Sequence, residues 1–306
     1  MICETSRLET GASGGTIRIR LPTLFCMPLV LLACSGQTGQ AGETSAAPQP
    51  IPRGAHYVAM GSSYAAGPGI TEVVAGSPPR CARSRDNYAE QLARRRGLDL
   101  TDATCSGAKT SHILGSWDEL PPQLDALRAD TRLVTVTIGG NDLNWMGGLF
   151  AASCKALGLG AQMPQLACNA MEMPSEADYT KVRASLLAIA RMVHQRSPSA
   201  RLVFVDYATL LPPKGHCDAM PLTDQDADRA RAVARRLLTL TEQAAREGSA
   251  DVLRASDATR GHGACAKEPW MNGFARPGGP APGAVYHPTQ AGMTAVAEAL
   301  DRYLGR

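Results

Sequence analysis

Leu133-Val-Thr-Val-Thr-Ile-Gly-Gly-Asn-Asp142 joins a run of six apolar and β-branched residues directly to two glycines and an Asn-Asp pair. Such residues suit a buried strand, and paired glycines end one. Outward from it, short apolar runs recur at His56 to Met60, Leu98 to Thr104 and Leu202 to Val205, with a weaker one at Val252 to Ala255. Asn87 to Arg96, Thr180 to Arg196, Asp224 to Arg246 and Pro288 to Tyr303 carry apolar residues at helical spacing; Leu186, Ala190 and Val193 share one face of the second. Short strands alternating with amphipathic helices build β-α units, so the expected fold is α/β, a parallel sheet with helices on both faces. The Gly-, Cys- and Met-rich stretch between Trp145 and Ser175 interrupts the alternation and reads as a disulfide-pinned loop beside the site.

The chain has 306 residues, 44% hydrophobic and 19% charged, which is enough for a buried core and excludes wholesale disorder. Its net charge of +3, from 31 basic and 28 acidic residues, is too small to neutralise a phosphate backbone, and no basic run is interleaved with aromatics. Nucleic acid is therefore not an expected partner. Of nine cysteines, Cys81, Cys105, Cys154, Cys168, Cys217 and Cys265 lie beyond residue 55 without metal-ligand spacing, an even set that reads as three disulfides in an oxidising compartment. Six cysteines allow 15 pairings, and spacing does not choose among them.

Arg18 and Arg20 precede the apolar stretch Leu21 to Ala33, which has the charge and length of a secretory signal. It ends Leu31-Leu32-Ala33-Cys34, which resembles a lipobox and makes Cys34 the expected lipidation site, with ordinary cleavage and free secretion as the alternative. Residues 1 to 15 lie ahead of this signal and carry no structural expectation. Residues 34 to 54 are small, polar and Pro-bearing, the composition of a tether. The expected organisation is a signal at 1–33, a lipidated Cys and tether at 34–54, and a folded domain at 55–306.

The first strand-like run ends Tyr57-Val-Ala-Met-Gly61-Ser62-Ser63-Tyr64-Ala-Ala-Gly67-Pro-Gly69. A strand that empties into such a turn presents backbone-cradled groups at the carboxyl edge of an α/β sheet. The phosphate-loop and dinucleotide patterns are absent, and G-x-S-x-G is missing from this segment, so it is neither a standard nucleotide loop nor the ordinary nucleophile elbow. Alone, it is equally a plain tight turn. Asn141 falls at the same sheet edge, where an amide N–H can serve a developing oxyanion or simply cap a strand. His287, in Tyr286-His287-Pro288, precedes the last helix, whose first turn is expected to hold Pro288. A histidine there is a general base or a capping residue, according to its neighbours.

Taken in order, Gly61-Ser62-Ser63, Cys105-Ser106-Gly107-Ala108, Gly139-Gly140-Asn141-Asp142 and His287-Pro288 resemble the four blocks of the SGNH hydrolase superfamily, the GDSL esterases and lipases. Cys81-Ala82-Arg83-Ser84 with Asn87-Tyr88, Pro121-Pro122-Gln123-Leu124, and Gly261-His262 ahead of Cys265 and Trp270 look most like its secreted actinobacterial branch. The resemblance covers residues 55 to 306. It implies a three-layer α/β/α, flavodoxin-like fold around a five-stranded parallel sheet, hydrolysing carboxylic esters through an acyl-enzyme. Ser63 is the implied nucleophile and His287 the base, with an oxyanion hole from the N–H groups of Ser63 and Gly107 and the Asn141 side chain. The branch pairs its cysteines sequentially, which gives Cys81–Cys105, Cys154–Cys168 and Cys217–Cys265.

Two positions depart from the pattern. Ser62 stands where the family usually has Asp, and Ala284 stands where an Asp commonly precedes the histidine by three residues. The Ala284 carbonyl is then the expected acceptor for His287 Nδ1, in a dyad rather than a triad. No cofactor or metal is expected, a monomer is, and contact with a membrane only through a lipid on Cys34. Phospholipids and acetylated glycans are alternative substrates on the same machinery, since loops set specificity on one fold. An inactive surface-binding module and a redox or metal role for the cysteines are the readings from other classes.

Overall fold

The computed structural model describes residues 50–162, 167–274 and 283–305. The signal, Cys34 and most of the tether lie outside the described residues. Five parallel strands, β1 (His56–Gly61), β2 (Asp99–Asp102), β3 (Leu133–Thr137), β4 (Arg201–Val205) and β5 (Asp251–Leu253), form one sheet in the order β2-β1-β3-β4-β5. That order reverses direction between β1 and β3, and the crevice beyond the carboxyl ends of strands at such a reversal is where doubly wound folds place their ligands.

Around the sheet run α1 (Ser63–Ala66), α2 (Tyr88–Arg96), α3 (Thr110–Leu114), α4 (Trp145–Ala156), α5 (Glu176–Arg196), α6 (Asp224–Glu247), α7 (Ala255–Ala258) and α8 (Gln290–Leu304). The long helices start where a side chain satisfies an orphan N–H: Asn87 accepts from Glu90, Ser175 from Asp178, Thr223 from Asp226 and Thr289 from Gly292. Alternation along β1 splits the interior into two layers. Val58 and Met60 face Leu186, Ile189, Val233 and Leu237 of α5 and α6, while Tyr57 and Ala59 face Leu92 of α2 and Met293, Val296 and Leu300 of α8. Fully burying one such side chain contributes about 1.5 to 3 kcal/mol. Every residue of β1 is buried, whereas β2, at the sheet edge, is half exposed.

Two sequence expectations are corrected. The stretch after Trp145 is not simply a loop: residues 145–156 form α4, which buries Trp145, Leu149 and Ala152 despite Gly147 and Gly148 in its first turn. The last helix begins at Gln290, so Pro288 precedes its cap, Thr289, and lies outside the first turn. The disulfides are Cys81–Cys105, Cys154–Cys168 and Cys217–Cys265.

Candidate active site

β1 turns into α1 with only Ser62, in extended backbone (φ −101°, ψ −159°), between Gly61 and Ser63. Gly61 is obligatory there: its φ is 141°, and a Cβ would fall 2.4 Å from the Thr137 carbonyl oxygen of β3. The close strand approach delivers Ser63 to the crevice with its side chain almost fully buried. Its Oγ lies 2.7 Å from Nε2 of His287, a residue 224 positions away.

His287 Nδ1 lies 2.6 Å from the carbonyl oxygen of Val285. A carbonyl only accepts, so Nδ1 carries the hydrogen and Nε2 offers its lone pair to the Ser63 hydroxyl. The acceptor is thus Val285 and not Ala284. Residues 284–287 form a turn in which His287 N–H donates to the Ala284 carbonyl at 3.2 Å and Tyr286 has φ 61°. A left-handed residue at the third position flips the central peptide as in a type II turn, which aims the Val285 carbonyl at the ring; Ala284 also accepts from Asn272 Nδ2 at 3.2 Å. Left-handed tyrosine is uncommon and has to be held. Tyr64 does so by donating to the Tyr286 carbonyl at 2.6 Å, and the Tyr286 hydroxyl is bonded to Ser153 Oγ of α4. The Tyr64 ring also packs 5.0 Å from the imidazole.

Burial pushes the His287 pKa below its ordinary value, and the Val285 carbonyl opposes this only in part, so the ring is neutral at pH 7. Among the described residues, no carboxylate hydrogen-bonds to His287. Asp257 is engaged by Arg260 and Arg254 instead.

Gly107, in the loop after β2, has φ 83°, and the Trp117 ring covers the place where a Cβ would stand, 3.2 Å away. Asn141 Nδ2 donates to the adjacent Ala108 carbonyl at 2.9 Å, which brings the Asn141 side chain onto the Gly107–Ala108 loop. Asp142 fastens the same two loops by accepting from Thr110 Oγ1 at 2.6 Å and from Thr110 N–H at 3.0 Å. The Tyr207 hydroxyl accepts from Gly140 N–H at 2.8 Å and meets Ser62 Oγ at 3.4 Å, so it ties the Asn141 turn to the Ser63 turn. Burial raises Tyr207 to about 12, which keeps that phenol protonated. Ser62 therefore contacts Tyr207 at the position where the sequence departs from the family pattern. Sequence reasoning assigned no role to Tyr64, Asp142, Tyr207 or Val285; the signals were present, Asp142 beside Asn141 and Tyr64 beside Ser63, but their partners lie far away in the chain.

A groove of about 670 Å³ opens beside His287, lined on its apolar side by Met146, Phe150, Ala151, Ala170, Val285 and Tyr286. Residues 59–295 match the GDSL-like Lipase/Acylhydrolase family. Lipase 2 of Streptomyces coelicolor is 30% identical over 259 residues, covering 81% of this chain and 84% of that protein. The crystal structure of an extracellular lipase from Streptomyces rimosus is similar with a TM-score of 0.63 at 25% identity, over 81% of this chain and 98% of that one. That of phospholipase A1 from Streptomyces albidoflavus gives a TM-score of 0.66 at 24% identity, over 81% and 99%.

Proposed function

Because the chain belongs to the GDSL-like lipase and acylhydrolase family and is a carboxylic ester hydrolase, we propose that Ser63 and His287 perform its chemistry as a dyad. The observation that carries this is the 2.7 Å approach of Ser63 Oγ to an Nε2 whose partner nitrogen is committed to a carbonyl. Nε2 takes the hydroxyl proton as Oγ attacks the ester carbonyl, and the imidazolium returns it to the leaving alcohol. Water then repeats the sequence on the acyl-enzyme.

The charge that develops on the carbonyl oxygen is received by the N–H groups of Ser63 and Gly107 and by Asn141. An amide nitrogen has two hydrogens, so the bond from Asn141 Nδ2 to Ala108 orients the side chain and leaves the second hydrogen for the oxyanion. One such donor is typically worth about 2.7 to 4 kcal/mol in the transition state. The Val285 carbonyl orients the ring but brings no full negative charge to the imidazolium.

The substrate is an ester with a hydrocarbon part of some length. The groove beside His287 presents Met146, Phe150 and Val285 to it, and such a surface gains little from an acetyl group on a glycan. The name of the S. albidoflavus structure, a phospholipase A1, agrees with a lipid ester. Three disulfides fit an exported protein, and the signal ending at Cys34 supports a lipid-anchored or freely secreted form. Labelling of Ser63 by a fluorophosphonate, with hydrolysis of p-nitrophenyl esters of graded acyl length, tests the proposal. Labelling and a preference for longer chains are expected. An unreactive Ser63 would remove it as the nucleophile, and a preference for acetate would restore the glycan reading.

A further inference from the structure

β1 loses its neighbour before it delivers the nucleophile. Its pairing with β2 ends at Ala59 and Asp102, two residues short of Gly61. Ala59 C=O still receives the Ala103 N–H, at 2.8 Å. Alternate residues of a strand direct their peptide groups to the same side, so Gly61 N–H and C=O face the edge that β2 has left. Cys105 N–H reaches Gly61 C=O at 3.0 Å, but no β2 residue takes the N–H. Gln123 takes it. Gly61 N–H donates to Gln123 Oε1 at 2.7 Å, and Gln123 Nε2 donates back to Gly61 C=O at 3.0 Å.

One side-chain amide thus supplies the acceptor that β2 no longer offers to Gly61 N–H, and adds a second donor to the carbonyl that Cys105 N–H already reaches. It comes from a 3-10 turn, Gln123–Ala126, entered through Pro121 and Pro122, and Gln123 is only 6% exposed. Between the clamped Gly61 and Ser63 there is a single extended residue, so a shift of Gly61 passes to Ser63 with no soft segment to absorb it. A displacement of about 1 Å in a reacting group can cost on the order of 100-fold in rate.

We propose that Gln123 is a positioning residue for ester hydrolysis, which acts through the backbone of Gly61 to hold Ser63 Oγ in reach of His287. The inference rests on the Ser63–His287 assignment. Two variants test it. Gln123→Leu keeps the bulk and removes both bonds; kcat and the rate of fluorophosphonate labelling are expected to fall about 10- to 100-fold with KM unchanged. Gln123→Glu is the sharper probe. Its carboxylate cannot donate to Gly61 C=O, whereas its protonated form has one donor and one acceptor, the same pair that glutamine uses here.

The activity of Gln123→Glu relative to the unaltered enzyme should therefore rise as pH falls, although the unaltered enzyme itself loses activity on acidification. A merely structural glutamine would not produce that inversion. If Gln123→Leu does not fold, the pH ratio of Gln123→Glu decides alone. A Gln123→Leu variant within two-fold of the unaltered enzyme, or a Gln123→Glu profile parallel to it at every pH, overturns the proposal. Failure of Ser63 to label in the unaltered protein is a different result: it removes the catalytic assignment, and this inference with it.

Discussion

The two halves of the proposed dyad are held by different means. Ser63 inherits its place from the sheet: Gly61 is pressed against Thr137 of β3, and one extended residue later Ser63 emerges. His287 sits in a loop, and its orientation depends on a left-handed Tyr286 secured by Tyr64 and by the bond to Ser153. A nucleophile built on strand backbone is fixed by the same contacts that make the fold. A base built on a turn has to be fixed by side chains recruited for that purpose.

Removing either partner should have the largest effect. Ser63→Ala and His287→Ala should each lose turnover by about as much as the double variant, on the order of 10⁶-fold, because neither group has much value alone. Additive losses in the p-nitrophenyl ester assay would show that the two do not act as one unit.

Gly61→Ala should damage the fold itself. A Cβ at 2.4 Å from a backbone oxygen forces β1 away from β3, at a φ that alanine disfavours, and a loss of at least about 1 to 3 kcal/mol is expected in urea unfolding. Tyr64→Phe, which removes the bond to the Tyr286 carbonyl, should instead leave unfolding within about 1 to 2 kcal/mol of wild type while turnover falls roughly 10-fold. If both variants lose stability and activity in the same proportion, the two corners are held alike.

Acidification reads the histidine corner together with Asp206, which burial raises to about 6. In the proposed dyad His287 acts as a neutral base, and burial lowers its pKa from 6.5, so the acid limb of kcat/KM should have its midpoint below 6.5. The unfolded chain binds that proton at the ordinary value, so this group's contribution to stability is complete above pH 6.5 and declines as pH falls toward the lower folded value. A midpoint above 6.5 would require a negative charge beside the ring. The smallest effect is expected from Asp257→Asn, which removes a carboxylate paired with arginines at the surface, and turnover should stay within a few-fold. A drop near 10⁴-fold, as in a true triad, would return an acid to the site.

The strand ends and glycine turns of the site could be read from the chain because they are local, and the likeness to the family's blocks singled out Ser63, Asn141 and His287 among them. The run from Val134 into Gly139-Gly140-Asn141, and the Gly61-Ser62-Ser63 turn after His56 to Met60, carry their own signals of burial and bend. The helix at residues 145–156 was not legible, since Gly147 and Gly148 disfavour helix locally and only the burial of Trp145 and Leu149 overrides them. The histidine's acceptor was displaced by one residue, from Ala284 to Val285, for a related reason. Which carbonyl faces the ring follows from the φ of Tyr286, and no propensity places a tyrosine in the left-handed region.

Apolar periodicity and turn chemistry act over a few residues, so the strand-helix alternation was legible in the chain, and the likeness of four short blocks to the SGNH family made Ser63 and His287 the candidates. Packing of distant segments brings the two to 2.7 Å, turns Val285 to the ring, and sets Tyr64, Tyr207 and Gln123 against the corners. Those contacts join residues far apart in the chain, and their geometry follows from the packing of distant segments, which local preference does not encode.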